Sequence, residues 1–425
     1  MIARLPATTP SSLPGAALAR WSVFAALIAV AGLPIYIHAP KFYVDSYGVS
    51  LAALGVVLAL LRLFDVVQDP VLGWLAEAGR QRRGLWVALA AAVMALSMWG
   101  LFGVAPPVAP LWWFAITLSG LFSAFSFLTI CFYAEGVGKA GRLGLKGHLR
   151  LAGWRETGSL LGVCAAAVAP VLLAQATDRP FAAFAFGFAV LALIATLAMR
   201  AEWGHGAVPL ADTNPFALFR PVLADPIARR LLLIALLNAA PVAVTSTLFL
   251  FFVESRLLAP GLEGPLLLVF FLSAAASTAL WSRLAQARGA KTVLLWGMGL
   301  AIVAFLWAVT LGTGDTLAFA AICVASGAAL GADMTLLPAI FARRLERIGQ
   351  GSEGAAFGLW SFVSKLSLAL AAATLLPALS AAGFVPGAAN SESALRTLSL
   401  LYAALPCALK LIAITLLART PLPEV

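Results

Sequence analysis

Apolar runs of about 20 residues, each long enough to cross a hydrocarbon core, recur from one end of the chain to the other, separated by short polar connections. The runs are continuous rather than alternating, which predicts helices and excludes a β-barrel. Twelve spans follow, near 21–39, 50–76, 85–105, 109–135, 151–174, 180–200, 229–253, 263–286, 292–311, 316–341, 354–378 and 397–418. The longest hydrophilic connection, "AEWGHGAVPLADTNPFALFRPVLADPIARR", divides them into two sets of six. The expected organisation is a flexible cytoplasmic N-terminus (1–20), a six-helix half (21–200), a central cytoplasmic loop (201–228), a second six-helix half (229–418) and a cytoplasmic tail (419–425). "WLAEAGRQRRG" after the second span and "RLAQARGAK" after the eighth echo each other, as two parallel halves require.

Composition agrees with this reading. Of 425 residues, 62% are hydrophobic and 11% charged, with a mean hydropathy of +0.98. Soluble domains carry about 25% charged residues, so a water-soluble globule is excluded. The net charge of +10 does not point to nucleic acid, because the bases are spread between apolar runs instead of being clustered with aromatics. They fall on alternate connections: Arg80, Arg82 and Arg83 on one, Lys139, Arg142, Lys146 and Arg150 on another, Arg343, Arg344 and Arg347 on a third. Intervening connections hold single bases such as Arg179 and Arg256. By the positive-inside rule both termini face the cytoplasm, and the Ala-rich composition suits a bacterial inner membrane. The four cysteines lie inside apolar runs without CxxC spacing, so neither disulfide nor metal is expected.

Charges inside the spans carry the chemistry. An ionisable residue at the bilayer centre costs about 2.5–3.5 kcal/mol even on insertion scales. In "LLRLFDVVQDPVLG", Arg62, Asp65 and Asp69 are spaced i, i+3 and i+7, so all three share one helix face that must look into the bundle. Two carboxylates against one arginine leave negative charge for a proton or Na⁺; a structural ion pair is the plainer alternative. Pro70 and Gly73 would loosen the helix beside them. Arg155 in the fifth span and Lys365 in the eleventh are separated by almost the offset of the repeated motifs, so they are expected to approach one cavity from opposite halves. Lys410 is read as snorkelling to the interface. His38, Asn238, Thr245 and Asp333 are further polar candidates.

"RLFDVVQDPVLGWLAE" with "RQRRG", "FYVDSYGVS", "RLAGWRETGSLLG" and "SKLSLALAAATLLPALSAAGFVPG" together resemble the glycoside–pentoside–hexuronide cation symporters, the melibiose-carrier-like branch of the major facilitator superfamily. The resemblance implies an all-α polytopic membrane protein with twelve transmembrane helices in two pseudo-symmetric halves. It implies Asp65 and Asp69 as coupling-cation ligands with Ser126 and Thr129 beside them. Arg62, Tyr133, Arg155 and Lys365 would serve substrate and gating; His38, at the end of the first span, and Asn238, in the seventh, are read from their own positions as further substrate or gating candidates, with an interfacial histidine and a helix-packing asparagine as the plainer alternatives. The sequence departs from those carriers where their sugar-binding acids align, at Ala29 and Thr129, so the resemblance carries over the cation site and not galactoside recognition. The expected activity is symport of a sugar or glycoside with H⁺ or Na⁺, by a monomer in the lipid bilayer, with no cofactor. A lipid-like or amphiphilic cargo, or a non-transporting binding or assembly protein, are the alternatives. No nucleophile–base pair, metal-spacing cluster or phosphate loop points to an enzyme.

Overall fold

The computed structural model describes residues 15–144, 146–203, 215–349, 352–385 and 389–422. Residues 1–14 of the tail expected over 1–20, the middle of the central loop (204–214) and the last three residues lie outside them, as do the side chains of Lys41 and Arg62, whereas residues 15–20 of that tail are already helical. The fold is all-helical, with twelve transmembrane helices in two six-helix halves. Nine of the described helices are individually long and apolar enough to cross a membrane.

The first span differs from expectation. It is broken into α1 (Gly15–Val30) and α2 (Leu33–Tyr47). Pro34 has no N–H to offer the Val30 carbonyl, so the helix is interrupted at Ala31 and Gly32. The rest of the N-terminal half is α3 (Leu51–Ala78), α4 (Arg83–Phe102), α5 (Pro110–Arg142), α6 (Gly147–Leu173) and α7 (Pro180–Met199). Ser50 caps α3 by accepting the Ala53 N–H at 3.1 Å. A short helix, α8 (Pro215–Ala224), lies in the central connection.

The C-terminal half comprises α9 (Pro226–Phe251), α10 (Glu263–Arg288), α11 (Ala290–Ala308), α12 (Thr316–Ile348) and α13 (Glu353–Ala381), and a last span made of α14 (Glu392–Ser399) and α15 (Leu405–Ala418). A π-helical turn, Leu400–Ala404, joins those two segments. Asp225 caps α9, accepting the Ala228 N–H at 2.7 Å while also pairing with Arg344 of α12.

Lys291 donates to the Ala418 and Thr420 carbonyls, and Lys139 and Arg20 pair with Glu202, so both ends of the described chain lie at the face that carries the basic connections. At this basic end the two halves touch. Arg80, after α3, bridges Glu77 at 2.9 Å and Glu353 of α13 at 3.1 Å, and the fully buried Glu77 accepts the Gly354 N–H at 2.8 Å. Ser282 of α10 donates to the Leu149 carbonyl of α6 at 2.8 Å, and His148 meets Glu346 at 2.8 Å. Between α3 and α13 the backbones themselves are in contact: a Cβ at Gly73 would sit 3.0 Å from Gly358 Cα, and one at Gly358 only 2.8 Å from the Asp69 carbonyl oxygen. Small residues permit such approach where helices pack without a hydrophobic drive.

Two outcomes follow. Gly358→Val must push α13 off α3, at the cost of about 1–3 kcal/mol expected for overpacking, and so lower the thermal unfolding midpoint in detergent; an unchanged midpoint contradicts the close seam. Burial works against the charge of Asp225, but the bonds from Arg344 and the Ala228 N–H prevail and hold its carboxyl below the usual carboxylate range. Its stabilisation is therefore present above the ordinary carboxylate value of about 4 and is lost only as pH falls through the depressed value. Arg344→Gln lets the folded value rise towards the ordinary one, so it is expected to lower the midpoint at neutral pH and to weaken its fall on acidification below about pH 4, read from the midpoint as a function of pH.

Candidate functional site

Midway along the seam between α3 and α13, the carboxylates of α3 meet a lysine from the other half. Asp65 and Asp69 are 4% and 0% exposed. Lys365 Nζ lies 3.0 Å from Asp69 Oδ1 and 3.7 Å from Asp65 Oδ2, and donates to Ser126 Oγ of α5 at 2.6 Å. Ser361, one turn before Lys365, donates to Asp69 Oδ2 at 2.6 Å. Gln68 donates to Asp65 Oδ1 at 2.7 Å and accepts from Ser123 of α5 at 2.9 Å. Three helices thus converge: α3 supplies the acids, α5 the Ser123 and Ser126 hydroxyls, and α13 the ammonium with the Ser361 hydroxyl. The i, i+4 spacing of the aspartates presents both to α13, and Gly73 and Gly358 let the two helices come near enough for a lysine to reach across.

The structure rearranges several sequence expectations. Lys365 and Arg155 do not share one cluster. Lys365 stands on the aspartates, so the charge at this site is set by both halves and not by the N-terminal half alone. Arg155, with Glu156 beside it, forms a separate group on α6: its Nε donates to Glu156 Oε1 at 2.7 Å, and its guanidinium carbon lies 3.8 Å over the Tyr133 ring. The Tyr133 hydroxyl donates to the same Glu156 oxygen at 2.9 Å, and its ring packs 5.2 Å from Phe357 of α13. Thr129 donates to the Phe125 carbonyl of its own helix at 2.7 Å. His38 packs edge-on against Phe181, with centroids 6.1 Å apart, and its buried Nε2 has no partner among the described residues. The Arg62 side chain is outside the described residues.

Lys410 does not snorkel. It is 3% exposed, pairs with Asp333 and donates to Asn238 Oδ1 at 2.6 Å, because α9 and α12 enclose it where a reach to the interface was expected. Asn238 is thereby a partner of Lys410, away from the aspartates. Sequence reasoning also missed Glu77, Glu135 and Glu353. Glu135 of α5 receives the buried Arg83 at 3.0 Å, tying "RQRRG" to the adjacent helices. Acids at span ends look like ordinary interfacial residues, and the available signal was their coincidence with three arginines.

A family described as MFS/sugar transport protein matches residues 21–424. The chain belongs to this family. As a major facilitator protein it is a multi-pass membrane transporter of small molecules and not an enzyme. Among solved structures it is similar to a bacterial homologue of the iron transporter ferroportin in the outward-facing state with soaked iron, at 15% identity and a TM-score of 0.68, covering 94% of this chain and 98% of that one. A second structure of such a bacterial homologue, also outward-facing, gives 15% identity and a TM-score of 0.69, covering 95% and 98%. At that identity the likeness is one of fold.

In this transporter, removing the shared ammonium leaves two buried carboxylates. Lys365→Met is expected to destabilise by about 3–5 kcal/mol, the usual cost of breaking a buried pair from one side. Adding Asp69→Asn should restore part of the loss in detergent thermal unfolding, whereas additive losses would show that the groups are uncoupled.

Proposed function

We propose that the protein is a secondary active transporter carrying a sugar or glycoside together with H⁺ or Na⁺, with Asp65 and Asp69 as the coupling-ion ligands and the basic end in the cytoplasm. The observation that carries this reading is the bond from Lys365 to Asp69, which ties the two halves together through a group that a cation can claim. A proton or Na⁺ on Asp69 competes with the ammonium and weakens the link between α3 and α13. Occupancy of the ion site and the position of the halves are then thermodynamically linked, each altering the other by the same free energy. With the basic end closed by Arg80, Glu353 and the glycine seam, this arrangement is the outward-facing member of an alternating-access pair. Ser126, Tyr133 and Arg155 would contact the solute beside the moving seam, and His38 would act at the opposite end of the N-terminal half.

Sugar is favoured over a metal cargo by the family's description. A lipid-like cargo is the second reading. It has one observation in its favour: an open, chiefly apolar groove of about 600 Å³, lined by Pro70, Phe219, Arg220, Leu223, Ala224 and Leu359 beside the same seam.

Proteoliposomes under imposed H⁺ or Na⁺ gradients test the proposal with a panel of labelled sugars and a labelled lysolipid. Asp69→Asn is expected to reduce gradient-driven accumulation at least tenfold while sparing energetically downhill exchange. Full accumulation by that variant, or uptake of lysolipid alone, rejects the sugar-symport reading.

A further inference from the structure

A further buried ion pair stands inside the C-terminal half. Asp333 of α12 and Lys410 of α15 are 7% and 3% exposed, and Lys410 divides its protons between Asp333 Oδ2 and Asn238 Oδ1. Asp333 is less completely bonded. Its Oδ1 is buried and accepts no hydrogen bond, the one carboxylate oxygen so left among the described residues, and a charged acceptor is the costliest group to leave unpaired.

The pair borders a cavity of about 30 Å³, which is room for one or two waters. Two breaks in helical regularity converge on it. Pro241 of α9 has no N–H, which leaves the Leu237 carbonyl without its helical donor. The π-helical turn Leu400–Ala404 runs into Pro406 of α15, and Pro406 lines the same space. Such turns are frequent at functional sites. A pair serving packing alone has no need of an unbonded oxygen, a water-sized space and two irregular helices in one place. Of the other groups lining the cavity from α9, α10, α11, α12 and α15, only the Cys407 thiol is titratable, and it donates to the Ile302 carbonyl at 3.6 Å.

We propose that Asp333, with Lys410 and Asn238, is a second proton-binding site, separate from Asp65 and Asp69. A proton handed over by a hydronium in the cavity forms an O–H bond at Asp333 Oδ1 and leaves a neutral water behind. The carboxylate becomes a carboxylic acid, and its attraction for Lys410 falls from that of a charge pair to that of an ordinary hydrogen bond. Lys410 keeps its charge and its bond to Asn238. The tie between α12 and α15 loosens as a result.

Infrared difference spectroscopy of the full-length protein in lipid nanodiscs, stepped in pH, reads this directly. A carboxylic-acid C=O band is expected to titrate, to survive Asp65→Asn and Asp69→Asn, to move in Asp333→Glu and to vanish in Asp333→Asn. Asp333→Glu retains the ion pair, so it tests the assignment even if the asparagine variant fails to fold. Loss of the band in the double variant Asp333→Asn, Lys410→Met, in which neither charge is left stranded, gives the same support. A band that neither moves nor disappears in these variants, or the absence of any band that survives Asp65→Asn and Asp69→Asn, overturns the proposal. The readout does not depend on transport, so failure of the sugar-symport reading would leave it intact.

Discussion

The ammonium of Lys365 reaches across the bundle to Asp69, and the rest of the site is arranged around that pair. In a medium where water cannot compensate a charge, an acid on one helix needs a partner from another, and the partner's address decides what the contact does. Had the base come from α3 or α5, the pair would only stiffen the N-terminal half. Because it comes from α13, the electrostatics of the site and the interface between the halves are one object. Ser126, Ser361 and Gln68 complete the arrangement by filling carboxylate and ammonium valences that would otherwise be unsatisfied.

The same rule operates at the basic end under wetter conditions. Glu77 is fully buried, yet it collects Arg80, Arg83 and the Gly354 N–H. Arg80 passes the link on to Glu353 in the other half. This network sits two to three helical turns from Asp69 on the same helix, so a displacement of α3 is felt at both places. Its counterpart in the second half is different in kind. The "RLAQARGAK" connection sends Lys291 to backbone carbonyls at the chain's C-terminal end, so the repeated motif is kept in outline while its ionic work belongs to the first copy.

Much of this was readable from the chain. Apolar run length fixed twelve spans, and two carboxylates on one face of the second identified the helix that bears the site. Partner identity was not readable, because helical periodicity says which residues share a face and nothing about which distant helix lies opposite. Lys365 and Arg155 matched in offset but went to different clusters for that reason. Lys410 was misread because a base in the last span, nearer its cytoplasmic end, was taken to reach the interface, whereas α9 and α12 wrap it. The corner at Gly32 was hidden by hydropathy: a broken helix and a continuous one are equally greasy, and only Pro34 hinted at the interruption.

Gly73, Gly354 and Gly358 give the closed end a mechanical character of its own. Where large side chains meet, a contact can yield by degrees as rotamers adjust. Bare backbone against bare backbone has no such compliance, so a small separation forfeits most of the dispersion contact at once and admits solvent to a surface made for dryness. Intermediate gaps are therefore the least favourable positions, and the seam should behave as a snap fastener, either shut or fully parted.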